Sequence, residues 1–330
     1  MLNTSFELVG VGNPILDVLA KVPESFLEKV GGEKGGMVLT DAESIAKWMA
    51  DLPEPFTEAP GGSAGNTVFA AARLGLRTTF IGKIGNDSGG TFYRERLEVL
   101  GGDGSRFKAG EIPNGRCLSL ITPDSERTMR TDLGAAATLS PAEVKPADFI
   151  GCKHAHIEGY LLFNPDLMMA VLKSAKEAGC TISLDLASFE VVKATRDILP
   201  DILRDYVDLL FANEDEAATF TGGSRDDLSM LATEIARFCD LAVVKGGREG
   251  AWLARPGSAV LHAPAVPGIT ATDTTGAGDY WAAGFLTAWL RGKPLETCAA
   301  WGARLGAEIV QVVGSELPEE HWKKIVRELD

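Results

Sequence analysis

The sequence has few basic residues relative to acidic ones. Its 330 residues include 32 Lys and Arg against 46 Asp and Glu, which gives a formal net charge of −14 at pH 7. Proteins bind nucleic acids by neutralising phosphates with basic side chains, so this balance argues against a nucleic-acid partner. A single phosphate ligand is still compatible with it, because backbone N–H groups and a bound cation can hold a phosphate without a basic surface.

Long apolar runs and closely spaced cysteines are also missing. No stretch approaches the roughly 20 apolar residues that cross a bilayer, and Met1–Gly12 lacks the basic start and apolar core of a secretory signal. The five cysteines stand far apart, without the spacing of metal ligands or of a redox motif. We therefore expect free thiols and a cytoplasmic protein with no membrane partner.

Short β-type runs alternate with helical patterns along most of the chain. Strands are predicted at Phe6–Val11, Thr78–Ile84, His154–Ile157, Thr181–Asp185, Leu209–Phe211 and Leu241–Lys245. Helices are predicted at Ala64–Leu74, Asp166–Ala178, Val191–Leu203, Glu214–Phe220 and Asp226–Phe238. This alternation is typical of an α/β fold with a doubly wound, mostly parallel sheet flanked by helices. Ligands of such sheets bind beyond the carboxyl ends of the strands, so we expect the site in the loops that follow strands.

Two regions interrupt the alternation, approximately residues 16–40 and 105–133. The second carries strand candidates at Cys117–Thr122 and Thr128–Leu133. We expect both regions to form a small β-sheet lid inserted in a single domain that spans residues 1–330. The alternative is that they are ordinary excursions of the same domain.

The strongest local motif is Asp273–Asp279, which reads DTTGAGD. Trp281, Phe285 and Trp289 follow at four-residue spacing, which predicts a helix that begins within the motif. The glycines let the backbone approach a ligand closely, and the first N–H groups of a helix form an anion pocket together with its dipole. Asp279 is then either a helix cap or a general base that takes the proton of an alcohol during phosphoryl transfer.

Two further segments carry glycines. Gly61–Asn66 reads GGSAGN and opens a predicted helix, either for tight packing or for close approach of the backbone to a substrate. Gly10–Asp17 reads GVGNPILD and follows the first strand. A dinucleotide fingerprint would need a small residue at Ile15 and a helix, which Pro14 disfavours. Asp17 is instead interpreted as an acceptor for paired sugar hydroxyls or as a solvated carboxylate.

Together the three segments resemble the PfkB, or ribokinase-like, family of carbohydrate and nucleoside kinases. The resemblance runs from Gly10 to about Gly314, and the glycine-rich signatures at Gly61–Gly75 and Asp273–Leu286 stand in the family's order and spacing. It implies a ribokinase-like fold and an ATP-dependent phosphotransferase with an alcohol group as acceptor.

The resemblance also implies roles for individual residues. The matches to catalytic positions are Asp279 as base, Gly276, Ala277 and Gly278 as anion hole, and Arg127 as an arginine that reaches the transferred phosphate. The substrate-binding residues implied are Asp17, Asn13, Gly62, Ser63 and Asn66. The ATP-binding residues implied are Asn213, Glu216, Lys245 and Gly247, with Glu216 also organising Mg²⁺ indirectly. The implied ligands of a monovalent cation, usually K⁺, are Asp273, Thr275 and Gly314.

Two positions depart from the family pattern. Lys245 replaces the more usual Thr or Ser, so its contact with an ATP phosphate is a hypothesis. Val310–Val313 departs from the usual polar pattern beside Gly314, which weakens the expectation of K⁺ dependence.

The acceptor is less well defined than the reaction. Gly12–Asp17, Gly61–Ser63 and Glu126–Leu133 are closer to the adenosine kinases of the family than to ribokinase. We therefore expect an adenosine-like nucleoside, phosphorylated on its 5′-hydroxyl. A simple sugar such as ribose or fructose is the alternative, and an acceptor that already carries phosphate ranks third, because no basic cluster stands near Asp17 or Asn66.

A protein of another class, a catalytically silent sensor of a nucleoside or sugar, is a further alternative. The intact anion hole with Asp279 argues against it, because a sensor does not need a base there. Both a monomer and a homodimer are compatible with the sequence.

Overall fold

The computed structural model describes residues 5–124 and 126–329. The first four residues of Met1–Gly12, the segment in which no secretory signal is predicted, lie outside the described residues. The strands are β1 (Phe6–Val11), β2 (Leu16–Lys21), β3 (Met37–Leu39), β4 (Thr57–Pro60), β5 (Thr78–Ile81), β6 (Lys83–Gly85), β7 (Lys108–Gly110), β8 (Asn114–Ile121), β9 (Arg127–Gly134), β10 (Cys152–Glu158), β11 (Thr181–Asp185), β12 (Leu209–Asn213), β13 (Leu241–Lys245), β14 (Ala251–Ala254) and β15 (Leu261–Ala263). The helices are α1 (Glu24–Val30), α2 (Ala42–Ala50), α3 (Ser63–Arg73), α4 (Ser88–Val99), α5 (Pro165–Glu177), α6 (Phe189–Ala194), α7 (Leu199–Tyr206), α8 (Glu214–Thr221), α9 (Leu228–Ile235), α10 (Ala277–Leu290), α11 (Leu295–Ile309) and α12 (Glu319–Leu329).

The main sheet has eight strands in the order β15-β14-β13-β12-β11-β10-β1-β5. All neighbours from β13 to β5 are parallel, and β14 and β15 extend the sheet in antiparallel pairing. The prediction of a doubly wound, mostly parallel sheet is confirmed. The carboxyl ends of the parallel strands meet at one edge, where the ligand sites of such sheets lie.

Helices cover both faces of this sheet, which explains why most of its parallel strands are rich in apolar residues. Successive residues of β12 point to opposite faces. Leu210 and Ala212 pack in the layer that includes α5 and α9, while Leu209 and Phe211 pack in the layer of α3, α10 and α11. Among the described residues, no helix has both the length and the apolar character that a bilayer crossing requires.

A second sheet of five strands, in the order β3-β9-β8-β2-β4, draws on both regions that interrupt the alternation. Its centre is a parallel pairing of β2 with β8, which places Leu16 beside Arg116. Val18, Phe26 and Leu118 belong to a separate apolar cluster between this small sheet and the helices α1 and α2. The final residue of β4 directly precedes Gly61, so the small sheet leads straight into the start of α3. Its action as a lid remains a prediction, as does the single domain.

Two predicted elements differ from the structure. The strand predicted at Thr78–Ile84 divides at Gly82 into β5 and β6, because β6 leaves the main sheet to pair with β7. The helix predicted at Val191–Leu203 is two helices, α6 and α7. Pro200 stands in the first turn of α7, where a helix tolerates proline, and its ring and missing N–H prevent a continuous helix across that position.

Candidate active site

Asp279 lies in the first turn of α10, and residues at the start of α3 hold its carboxylate. Ser63 Oγ donates to Oδ1 at 2.8 Å, and Asn66 Nδ2 donates to Oδ2 at 2.9 Å. Thr67 Oγ1 donates to the backbone oxygen of Asp279 at 3.1 Å. Burial, and next the negative charge of Asp185, raise the pKa of Asp279 to about 6. The two glycine-rich motifs therefore meet at one carboxylate.

The start of α10 presents backbone N–H groups beside that carboxylate. Gly276 caps the helix with φ 73°, a left-handed conformation that residues with a Cβ rarely adopt. Ala277 N donates to Thr274 O at 3.1 Å. In the described part of the chain, the N–H groups of Gly276 and Gly278 have no hydrogen-bond acceptor, as is normal in the first turn of a helix. Two of the three amides predicted to form an anion hole therefore have no acceptor within the protein, and their binding of an anion stays a prediction.

A buried ion pair joins the ends of β11 and β13. Lys245 Nζ lies 2.8 Å from Asp185 Oδ2. The ammonium sits against the start of α10, because a Cβ on Gly278 would come within 2.9 Å of Nζ. Burial acts to lower the pKa of Lys245, but the charges of Asp185 and Glu216 outweigh it and the pKa is raised. The sequence predicted Lys245 and missed Asp185, although Asp185 ends a predicted strand.

Asn213 and Glu216 form a reciprocal cap at the start of α8. Asn213 Oδ1 accepts from Glu216 N at 2.8 Å, and the Glu216 carboxylate accepts from N and Nδ2 of Asn213, each at 2.8 Å. Burial, followed by the charge of Asp185, raises the pKa of Glu216 to about 7. The Asn-x-x-Glu pattern is therefore at least a structural cap. Gly247, by contrast, lies in the exposed turn that follows β13.

Glu158, the last residue of β10, is a buried carboxylate that the motifs did not reveal. Its Oε1 accepts from the backbone N of Asn13 at 3.0 Å and from Asn13 Nδ2, and Oε2 accepts from Ala64 N at 3.3 Å. A Cβ on Gly12 would come within 2.3 Å of Oε2, so this close approach requires glycine. Burial raises the pKa of Glu158 to about 7. Glu158 thus ties the loop after β1 to the start of α3.

We expect Glu158→Gln to reduce the slope of stability against pH between about pH 4.5 and 7. Burial raises the pKa of Glu158 from 4.5 to about 7, so the folded chain keeps a proton that the unfolded chain loses in this window. The free energy of unfolding therefore falls as pH rises, by up to about 3 kcal/mol from this group. Urea unfolding at a series of pH values measures the slope. The exposed Glu177→Gln control should keep the wild-type slope, and an unchanged slope in Glu158→Gln would contradict the prediction.

Asp17, at the start of the small sheet, is buried beside Gly61 and Ser315. Ser315 Oγ donates to Asp17 Oδ2 at 3.0 Å, and a Cβ on Gly61 would come within 2.5 Å of Oδ1. Burial raises the pKa of Asp17, and the charges of Arg127 and Asp273 also act on it. The residues predicted to bind substrate and those predicted to bind a cation are therefore neighbours.

Arg127, the first residue of β9, joins the small sheet to the segment before α10. Its Nη1 donates to Asp273 Oδ2 at 2.8 Å and to Thr275 Oγ1, and its Nη2 donates to Ser119 Oγ at 2.9 Å. Asp273 Oδ2 also accepts from Gly314 N at 2.9 Å. The structure thus brings together the three residues predicted to hold a monovalent cation, and it places a guanidinium among them. Residues of this group line a cavity of about 350 Å³.

These parts suit one kind of reaction. A carboxylate that can take a proton lies beside unpaired helix amides and a lysine, at the carboxyl edge of a parallel sheet. Phosphoryl transfer to an alcohol needs such a base and such stabilisation of negative charge. The fold and site therefore define an α/β phosphotransferase.

Comparison with known proteins narrows the class to a family. Residues 35–322 match the model of the pfkB family of carbohydrate kinases, and the chain belongs to that family. The adenosine kinase of Saccharomyces cerevisiae is 30% identical, over 95% of this chain and 97% of that protein. The ribokinase of Arabidopsis thaliana is 28% identical, over 80% of this chain and 70% of that protein. The crystal structure of adenosine kinase from Sinorhizobium meliloti superposes with a TM-score of 0.86 at 30% identity, covering 99% of this chain and 100% of that one.

Membership of this family confirms the prediction from the sequence motifs. The protein is a sugar or nucleoside kinase, a phosphotransferase with an alcohol group as acceptor.

Proposed function

We propose that the protein uses ATP to phosphorylate the 5′-hydroxyl of an adenosine-like nucleoside, with Asp279 as general base. The observation that carries the proposal is the buried Asp279 carboxylate, which Ser63 and Asn66 hold at the start of α10. Its pKa of about 6 leaves it mainly ionised at neutral pH and still able to accept a proton. Two relatives of similar length, from yeast and from Sinorhizobium meliloti, are adenosine kinases and support the choice of acceptor.

The proposed chemistry is a direct transfer. The acceptor hydroxyl oxygen attacks the γ-phosphorus of ATP and its proton passes to Asp279, while the bond from the γ-phosphorus to the bridging oxygen breaks and ADP leaves. Each carboxylate oxygen of Asp279 accepts one hydrogen bond from α3, and each has a second lone pair with which it can take the proton. The amides of Gly276 and Gly278 and the ammonium of Lys245 would stabilise the negative charge on the phosphoryl group.

The residues proposed for the acceptor fall into two sets. Ser63 and Asn66 donate to Asp279, so they orient the base in addition to any contact with substrate. The backbones of Gly62 and Asn13 lie close together, because a Cβ on Gly62 would come within 2.3 Å of Asn13 O, and we propose that they form the floor of the acceptor site. Asp17 accepts a hydrogen bond from Ser315 Oγ on one oxygen, and we propose that its other oxygen receives the ribose hydroxyls.

The residues proposed for ATP also suit magnesium. Glu216 and Asp185 are buried carboxylates beside Lys245, and oxygen ligands are those that Mg²⁺ prefers. Within residues 5–124 and 126–329, no group of three or more His, Cys, Asp or Glu side chains could hold a metal. ATP phosphates and water would therefore complete its coordination. When bound, magnesium would neutralise phosphate charge. Asn213 would keep Glu216 in place, and Gly247 would face the nucleotide from its exposed turn.

The small sheet is proposed to cover the site during the reaction. Arg127 already links it to the segment before α10, so closure would need no large rearrangement of the strand that carries this arginine. Closure of a lid excludes water and so limits wasteful hydrolysis of ATP.

Coupled ADP release tests the proposed function. The purified protein is supplied with ATP and Mg²⁺ and with adenosine, inosine, guanosine, ribose, fructose or 2-keto-3-deoxygluconate. We expect the highest kcat/KM with adenosine and background rates without an acceptor. Turnover with a free sugar alone would reassign the acceptor and keep the reaction class. Adenosine binding without turnover would favour the silent sensor.

A further inference from the structure

The contacts around Asp273 differ from those of a metal-binding carboxylate. We propose that the guanidinium of Arg127 takes the place of a monovalent cation beside the anion hole, so that this protein does not need K⁺. This inference rests on the proposed function only where ADP release is the measurement. Its structural part, that Asp273 holds an arginine rather than a metal ion, can be tested on the protein without substrates.

The carboxylate of Asp273 accepts a hydrogen bond at each of its lone-pair sites. Its Oδ1 accepts from Thr275 N at 2.9 Å and from Thr275 Oγ1 at 2.7 Å. Its Oδ2 accepts from Gly314 N at 2.9 Å and from Arg127 Nη1 at 2.8 Å. An ionised carboxylate offers about four lone-pair sites, and four donors therefore occupy them. The contact of Gly314 with this carboxylate is made by its N–H group, which takes up a lone pair of Asp273 and supplies no oxygen ligand to a cation.

The ion pair between Arg127 and Asp273 is enclosed by the protein. The Arg127 and Asp273 side chains expose 11% and 8% of their surface, respectively. A metal ion that displaced the guanidinium would also break its hydrogen bonds to Thr275 and Ser119 and leave buried donors unpaired, which is costly.

The position of the charge suits the reaction. Asp273 and Thr275 belong to the segment that leads into Gly276, so the guanidinium lies beside the start of α10. A fixed positive charge there stabilises negative charge that develops at the anion hole, which is what a bound cation would do. Arg127 Nε is buried without a hydrogen-bond partner among the described residues, so one donor of the side chain is not used by the protein.

The test compares wild type with Arg127→Met, Arg127→Lys and Arg116→Met in KCl and in choline chloride at equal ionic strength. Arg116 is the matched control, because it lies on the neighbouring strand β8 and pairs with Glu58 at 3.6 Å, away from Asp273. The readouts are the melting temperature, binding of thallium(I) as a probe for K⁺ by NMR, and ADP release.

We expect wild type, Arg127→Lys and Arg116→Met to behave alike in the two salts and to bind no thallium(I). Arg127→Met should lose about 100-fold in turnover in choline chloride, the scale of removing one stabilising group, and KCl should restore about tenfold. This variant should also bind thallium(I) and melt at a higher temperature in KCl, because the vacated carboxylate accepts the ion.

Two results would overturn the proposal. One is a K⁺-specific rise in the activity or melting temperature of wild type. The other is a folded Arg127→Met that ignores K⁺ in every readout, since its vacated site should then accept the ion. Absence of turnover in all variants would contradict the proposed function instead, and the melting and thallium(I) data would still decide the role of Arg127.

Discussion

Replacing Asp279 with Asn is expected to lower kcat by about 10²- to 10⁴-fold, the usual contribution of a general base. Asn is nearly isosteric with Asp, so it can keep contacts with Ser63 and Asn66 while losing the ability to accept the proton. Stability should be retained, because a buried neutral amide replaces a buried carboxyl group. Steady-state ADP release and thermal unfolding measure the two effects.

The pH profile gives an independent check on Asp279. Burial raises its pKa to about 6, so kcat/KM of wild type should fall below that pH as the base becomes protonated. Asp201→Asn is the matched control, because Asp201 also stands in the first turn of a helix but is exposed and pairs with Arg204. It should keep wild-type kinetics. Wild-type kcat in Asp279→Asn would rule out the proposed base.

Lys245→Met is expected to lower the free energy of unfolding by about 3–5 kcal/mol, because it leaves the buried carboxylate of Asp185 without its charged partner. The double variant Lys245→Met/Asp185→Asn should recover most of this loss, since neither charge is then left alone. Urea unfolding of wild type, of the two single variants Lys245→Met and Asp185→Asn, and of the double variant gives the interaction energy between Lys245 and Asp185. Lys176→Met is the control, since the Lys176–Asp208 pair has the same 2.8 Å separation but a lysine that is 34% exposed, and its loss should cost about 1 kcal/mol or less.

The same substitution should also alter catalysis. The charge of Lys245 lowers the pKa of Asp279, so its removal raises that pKa and moves the acid limb of kcat/KM to higher pH. The double variant should regain stability without regaining activity. Recovery of both together would mean that the lysine acts only as a structural partner of Asp185.

The main sheet could be predicted from the sequence because most of its buried strands are rich in apolar residues and are separated by helical patterns. The boundaries that failed depend on single residues. Gly82 divides one predicted strand and Pro200 one predicted helix, and the pairing of β6 with β7 leaves no local signature. The small sheet was predicted only in part, because β4 is a short stretch of polar and small residues whose partner β2 lies far away in sequence.

The site was predictable where chemistry is concentrated in motifs. Asp279, Ser63 and Asn66 stand in two glycine-rich segments, and the structure brings them into contact. Glu158 and Asp185 were missed, because each is a lone acidic residue at the end of a buried strand. Their partners are distant: Asn13 is 145 residues from Glu158, and Lys245 is 60 residues from Asp185. Only the folded chain shows such pairs.

The strand order has a consequence for how the chain is made. β1 is synthesised before the other strands of the main sheet but lies inside that sheet, between β5 and β10. During synthesis on the ribosome β1 can pair with β5 early. Its other edge stays unpaired until β10 has emerged. Such late, long-range parallel pairing is slow and leaves an open strand edge that invites aggregation. Asp279 emerges later still, after the last strand of the main sheet. The chain therefore acquires the proposed base only after every strand of that sheet has been synthesised.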